Sequence, residues 1–244
     1  MSLDVSVVIP ARNEAGNLPL LIDEVDAALQ GATHEIIVVD DGSTDDTARV
    51  VGDLAASRPH LRLVQHGASF GQSAALRSGV RAAAASIIGT LDGDGQNDPK
   101  HFLEMLRRLT GDVRLGLVAG QRMARSDGRK KALASRLANG IRRRMLQDGT
   151  RDSACGLKLF RRDLFLALPF FDGLHRYLPA LMRREGYGVA FVDVVDRGRR
   201  HGSSNYGVLD RFAVGVLDIF GVWWLIRRGR RVVLAETRPQ ETAR

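Results

Sequence analysis

The chain has one cysteine, Cys155, among 244 residues. That rules out an internal disulfide and a cysteine-based metal site, and fits a reducing compartment. Long apolar runs are also missing. The longest, Phe212–Ile226, is interrupted by Asp218 and closed by Arg227 and Arg228; at ~1.5 Å per residue it reaches roughly 22 Å, short of the ~30 Å hydrocarbon core, so no membrane span is read. The start, MSLDVSVVIP, has no basic region followed by a long apolar stretch. No signal peptide is read, and a cytoplasmic, non-secreted protein is expected. No G-x-x-x-x-G-K-[ST] is present, which excludes a P-loop. Counting twelve positions from Asp92 gives Leu103 rather than a bidentate Glu, which excludes an EF-hand. Internal repeats and low-complexity segments are absent, and a composition 44% hydrophobic and 26% charged excludes a disordered or collagen-like chain.

Negative charge is scarce in one half only. Residues 1–110 hold 9 Lys and Arg against 15 Asp and Glu, whereas residues 111–244 hold 27 against 13. The basic half invites nucleic acid, an anionic membrane or a phosphorylated ligand. Its densest part, Arg122–Arg162, has 13 cations against 3 Asp and reads as basic and helical. It lacks the interleaved aromatics of a nucleic-acid stacking platform, so nucleic acid is set aside in favour of a phosphate or an anionic membrane. The bland alternative is a solvated face.

Short β-branched runs at 5–9, 35–39, 61–64, 87–91, 115–119 and 189–195 read as strands. Between the early ones lie Ala- and Leu-rich helical stretches at 17–30, 44–57 and 72–85. This alternation predicts an α/β fold with a mostly parallel sheet, whose ligands sit beyond the carboxyl ends of the strands. Chemistry-bearing residues follow those ends. Asp40-Asp41-Gly42-Ser43-Thr44 after the second strand reads either as carboxylates pointing out of the sheet edge toward a base or ribose, or as a turn with Ser43 or Thr44 capping the next helix. Asp92-Gly93-Asp94 after the fourth offers two carboxylates on a flexible turn, enough for a hard divalent cation shared with substrate phosphates, although Asp and Gly are ordinary turn residues too.

Four segments in order, VVIPARNE (7–14), VVDDGSTDDT (38–47), FGQSAALRSG (70–79) and DGDGQNDP (92–99), resemble family 2 glycosyltransferases of the GT-A fold. Within them the chain looks like the polyprenyl-phosphate branch typified by dolichol-phosphate mannosyltransferase, over about Val5 to Arg228. The resemblance implies that Pro10, Arg12, Glu14, Val39 and Asp41 surround the nucleotide of a nucleoside-diphosphate sugar. It implies that Asp92, Gly93, Asp94 and Gln96 hold the diphosphate, with Asp92 and Asp94 on Mg2+ or Mn2+. Gly120-Gln121-Arg122 matches a G-x-R whose Arg lies by the phosphates. Ser135-Arg136 with Asn139 resembles an S-R-x-x-N helix meeting the acceptor phosphate, with Lys131 alongside. Residues 151–160 resemble D-x-x-x-G-F-R-L-[FY], with Leu157 and Lys158 in place of Phe and Arg. Arg199, His201, Gly202, Ser204, Asn205 and Tyr206 resemble R-x-x-G-x-S-[KN]-Y, which closes over the donor; some members carry Lys where this chain has Asn205.

The expected reaction is inverting transfer to a polyprenyl phosphate. Its leaving-group charge is met by the metal, Arg122 and Arg199. An ionised phosphate needs no strong base, so Asp152 reads as an orienting group or optional base, or equally as a cap or a salt bridge to Arg151 or Arg162. The alternatives are transfer to a glycan or cell-envelope hydroxyl, which needs a positioned base, and a nucleotide-sugar-binding, membrane-associated protein without turnover. Residues 1–206 read as the catalytic domain, 207–231 as an amphipathic helix and 232–244 as a disordered tail. At ~100° per residue Phe212, Val216, Ile219, Phe220 and Trp223 share one side of that helix, with Asp218 roughly opposite. The stripe is either core or a membrane-surface face flanked by Trp223, Trp224 and four arginines, which would make the protein peripheral on the cytoplasmic side of a membrane. A homo-oligomer is left open.

Overall fold

The computed structural model describes residues 3–123, 140, 142–195, 197–198 and 208–229, with the side chains of 208–214 excepted. Seven strands form one sheet. They are β1 (Val5–Ala11), β2 (His34–Asp40), β3 (Leu61–Gln65), β4 (Ile87–Thr90), β5 (Leu115–Arg122), β6 (Lys158–Arg161) and β7 (Gly188–Val194). The helices wholly among the described residues and longer than five residues are α1 (Leu18–Ala28), α2 (Thr47–Ala55), α3 (Gln72–Ala82), α4 (Phe102–Gly111), α5 (Arg162–Ala167), α6 (Leu178–Arg184) and α7 (Val208–Arg228). The spatial order is β3-β2-β1-β4-β6-β5-β7. β1 pairs in parallel with β2 and β4, and β5 with β7, while β6 runs antiparallel between β4 and β5.

The central strands are apolar on both faces because helices cover both. Val5, Val7 and Ile9 of β1 face one core with Ile36 and Val38 of β2, packed under Leu18, Leu21 and Ile22 of α1 and Phe102 and Met105 of α4. Val8, Ile37 and Val39 face the other, under Ala75, Leu76 and Val80 of α3 and Leu178 and Leu181 of α6. Each fully buried Val, Leu, Ile, Phe or Met among them contributes about 1.5–3 kcal/mol. Edge strand β3 is largely open, in keeping with its polar Arg62 and Gln65.

Three sequence expectations are corrected. Arg122–Arg162 is not helical throughout: β5 runs on to Arg122, and Lys158–Arg161 is a strand. The Lys-Leu-Phe-Arg run carries charge at both ends, which masks a strand whose backbone is wholly enclosed by neighbours. The basic stretch is also less bare than its count suggests. Arg142 pairs with the fully buried Asp148, Arg151 with Asp193, and the guanidiniums of Arg161 and Arg162 donate to main-chain carbonyls of Leu115 and Val80. Finally, α7 sits with a different face inward. Val222 is buried, and Ile219, Trp223 and Ile226 pack on the core beside α6, while Val216, Leu217, Phe220 and Trp224 are exposed. Asp218 faces the protein, against Gly173. The helix is apolar nearly all round, so its packing partner rather than its periodicity chooses the inner face. The chain from 230 onward lies outside the described residues.

Candidate active site

The carboxyl ends of β1, β2 and β4 open into a cleft of about 220 Å³ lined by Pro10, Ala11, Arg12, Glu14, Asp41, Gln72, Ala75, Asp92, Gly93 and Asp94. Its two upper loops are zipped to each other. Asn13, in a left-handed conformation with φ 57°, donates its N–H to Ser43 Oγ at 2.9 Å and accepts the Thr44 N–H on Oδ1 at 2.8 Å. Glu14 N–H donates to Thr47 Oγ1 at 2.9 Å. Ser43 and Thr44 therefore do not cap α2, as the sequence allowed; they bind the ARNE segment, and α2 starts later, at Thr47. Gly42, at φ +67°, lies so close to the Ala68 main chain that a Cβ would come within 2.6 Å of it.

Asp40 and Asp41 do not project from the sheet edge. Both are buried. Asp40 Oδ1 accepts the Ser43 N–H at 3.0 Å. Asp41 accepts from His66 Nδ1–H, Ser69 Oγ–H and the N–H groups of Phe70 and Gly71, at 2.8–2.9 Å. Burial alone raises a carboxyl; these donors outweigh it and hold Asp41 below its ordinary value. Asp41 thus fixes the loop before α3 while still bordering the cleft. Val39 is wholly buried in the core and does not line it.

The D-x-D turn forms the floor. Asp92 Oδ1 accepts from Gln72 Nε2 at 2.7 Å, and Asp94 Oδ1 from the Gln96 N–H at 3.1 Å. Gly156 approaches the Asp92 carboxylate so closely that a Cβ would sit 2.5 Å from its atoms, which explains a glycine at that place in the 151–160 motif. Burial, and then the charge of Asp94, push Asp92 up to about 6, with Lys158 and Arg122 partly offsetting them. Two hard carboxylates crowded in this way suit a cation such as Mg2+ or Mn2+.

Arg122 and Asp152 form a nearly buried bidentate pair, Arg122 Nη2 donating to Asp152 Oδ1 at 2.9 Å and Nε to Oδ2. Neither Arg151 nor Arg162 is Asp152's partner: Arg151 donates to Gln121 Oε1 at 2.5 Å and pairs with Asp193. Lys158 is buried, its ammonium donating to the Cys155 carbonyl, and burial lowers it. Cys155 is fully enclosed, and burial pushes its thiol up to about 11, so it is an inert packed residue. Lysine in place of the motif's arginine thus keeps a basic side chain whose charge lowers Asp92.

Sequence reasoning missed Gln72, His175 and Arg197. His175 Nδ1 accepts from Ser73 Oγ–H at 2.8 Å, and Ser73 Oγ in turn accepts the Gly173 N–H at 3.0 Å. Burial drives His175 down to about 3, so it is neutral. Nothing local in the sequence signals a residue brought in from so far along the chain, whereas Gln72 lies inside a quoted motif. Arg197 donates its N–H to the Gln96 carbonyl at 2.9 Å and its guanidinium to Asp98 and Glu24, each at 2.7 Å. That ties the segment after β7 to the D-x-D loop. Lys131, Ser135, Arg136, Asn139, Arg199, His201, Gly202, Ser204, Asn205 and Tyr206 lie outside the described residues.

A mostly parallel sheet with an antiparallel β6 between β4 and β5, and a D-x-D turn at its carboxyl edge, defines a glycosyltransferase of GT-A architecture. The chain belongs to glycosyl transferase family 2, whose profile matches residues 6–168. It is 34% identical over 235 residues to the dodecaprenyl-phosphate galacturonate synthase of Rhizobium johnstonii, covering 93% of this chain and 68% of that protein. It is 34% identical over 212 residues to the undecaprenyl-phosphate 4-deoxy-4-formamido-L-arabinose transferase of Pectobacterium carotovorum subsp. carotovorum, covering 84% of this chain and 63% of that one. The chain therefore spans about two thirds of these relatives. The glucosyl-3-phosphoglycerate synthase of Mycobacterium tuberculosis, solved with Mn2+, uridine diphosphate and phosphoglyceric acid, shares the fold at a TM-score of 0.65 and 23% identity, over 94% of this chain and 80% of that one.

Proposed function

We propose that the protein transfers a sugar from a nucleoside-diphosphate sugar to a polyprenyl phosphate, with inversion and with a divalent cation on Asp92 and Asp94. The observation that carries this reading is the cleft, where Arg12, Glu14 and Asp41 border the same space as Asp92 and Asp94. The catalytic unit is residues 1–206, with 207–231 as a surface helix and 232–244 as a tail. Pro10, Arg12, Glu14 and Asp41 bind the nucleoside, and Gly93 and Gln96 flank the diphosphate.

Asp92 and Asp94 would hold the cation, which would supply positive charge to the departing diphosphate. Arg122, anchored by Asp152, adds a fixed positive charge on the same side, and preorganised charge of this kind needs no rearrangement as the bond breaks. Arg199 and Asn205 complete the donor contacts, and Lys131, Ser135 and Arg136 receive the acceptor phosphate. A carboxylate locked to a guanidinium is a poor base, so Asp152 acts by holding Arg122, and the ionised phosphate attacks without a base. That favours a phosphate acceptor over a hydroxyl.

No helix among the described residues is long and apolar enough to cross a membrane. The exposed Leu217, Phe220 and Trp224, with Arg227 and Arg228 over the Trp223 and Trp224 rings at 4.6 and 6.0 Å, support peripheral binding to an anionic membrane. The test is incubation with a panel of nucleotide sugars, Mg2+ or Mn2+ and undecaprenyl phosphate, with mass spectrometry of the lipid. A glycosylated lipid phosphate is expected from the wild type. Asp94→Asn should lower its formation by about a hundredfold or more; undiminished turnover in the variant removes Asp94 from the mechanism.

A further inference from the structure

At the other edge of the sheet, where the strands begin, three side chains converge from three elements. Asp26 lies in the last turn of α1, His34 opens β2 and His60 immediately precedes β3. Asp26 Oδ1 is 3.0 Å from His34 Nε2 and 2.9 Å from His60 Nε2. One ligand atom from each residue lies within 4.8 Å of the others. The rings meet edge to face with centroids 5.4 Å apart. All three side chains are partly exposed, at 28% for Asp26, 15% for His34 and 36% for His60, so water can reach the point they share.

His34 is held on both sides of its ring. Its Nδ1 lies 3.1 Å from the Ala32 carbonyl oxygen, which can only accept, so Nδ1 carries a proton. A neutral ring then presents a lone pair at Nε2, facing lone pairs on Asp26 Oδ1. That contact needs a cation between the two atoms. A proton on Nε2 serves this one pair; a metal ion serves Asp26, His34 and His60 together. The separations from Asp26 are within a few tenths of an ångström of the ~3.3 Å between neighbouring ligands around a tetrahedral ion with bonds of about 2.0–2.1 Å. The His34 Nδ1–H to carbonyl bond is also the kind of support that orients a metal-bound imidazole.

We propose that Asp26, His34 and His60 form a metal site for Zn2+ or a similar imidazole-seeking ion, with its remaining position open to water. It is separate from the cleft in place and in chemistry: two imidazoles and one carboxylate select zinc-class ions, whereas the all-oxygen pair Asp92 and Asp94 selects Mg2+ or Mn2+. Because it staples α1 to the start of β2 and the lead into β3, the bound ion stabilises the fold.

The test uses the full chain, stripped of metal, with Co2+ as a visible probe and Zn2+ in thermal unfolding. With Mg2+ in excess to fill the Asp92 and Asp94 site, wild type is expected to bind one Co2+ with a visible absorption band, and Zn2+ is expected to raise its melting midpoint. His34→Gln and His60→Gln should each weaken Co2+ binding by about tenfold or more. Both should retain transfer activity in Mg2+, which also shows that they fold. Asp94→Asn should bind Co2+ at this site as wild type does. Absence of the band, undiminished binding in His60→Gln, or loss of binding in Asp94→Asn overturns the proposal. So does a melting midpoint that Zn2+ leaves unchanged.

Discussion

Arg122 and Asp152 pose a question that a single substitution answers. If Asp152 served as a general base, its removal would cost about 10²–10⁴ in turnover and erase the limb of the pH–rate profile that reports its ionisation. As an anchor for Arg122 it should cost less. Asp152→Asn is expected to lower kcat by under about a hundredfold and leave the shape of the profile unchanged, measured by steady-state kinetics across pH. His175 carries the clearest pH signature among the described residues. Its folded value, driven down to about 3, lies below the ordinary 6.5, so the unfolded chain binds the extra proton between these values. Stability from keeping this ring neutral is present above about 6.5 and lost as pH falls. His175→Asn, whose amide oxygen can accept from Ser73, should give a shallower loss of stability between pH 6 and 4 in urea unfolding.

Among elements, α7 presents one packed face and one exposed apolar face. Its inner face, centred on Val222, docks beside α6, and its outer face exposes Leu217 at 71%, Phe220 at 55% and Trp224 at 55%. Replacing Phe220 and Trp224 by Ser should leave the melting midpoint within a few degrees of wild type, because surface substitutions usually cost no more than about 0.5 kcal/mol, while reducing co-sedimentation with anionic vesicles. Equal sedimentation would remove the outer face from the membrane reading. The elements legible in sequence were those with local signals. β1 and β2 announce themselves as β-branched runs ended by turn residues. The D-x-D turn and the DDGST segment were legible because each sits at the carboxyl end of a strand, β4 and β2. β6 was not, because a short strand flanked by Lys158 and Arg161 has no periodicity of its own and is specified by β4 and β5 on either side. The roles of Asp41 and His175 were likewise hidden, since both depend on residues far along the chain, His66 and Ser73 among them.

For the whole molecule, the uneven charge is partly spent on internal pairs. Arg122 and Arg142 pair with carboxylates inside the fold, and Arg151 with Asp193 at the surface. Binding to anionic vesicles is therefore expected to fall with salt, but less steeply than 13 free cations between residues 122 and 162 would produce. A salt titration of vesicle binding measures the slope, and a salt-independent affinity would leave apolar insertion of α7 as the main contact. The antiparallel β6 also constrains the order of assembly. β4 and β5 are not neighbours; each reaches the other only through β6. As the chain is synthesised, β1 to β4 can pair in parallel while the open side of β4 waits for residues 158–161 to emerge. Until they do, the half-sheet carries an unpaired apolar border, the moment at which a nascent chain is most exposed to wrong partners and most dependent on a chaperone.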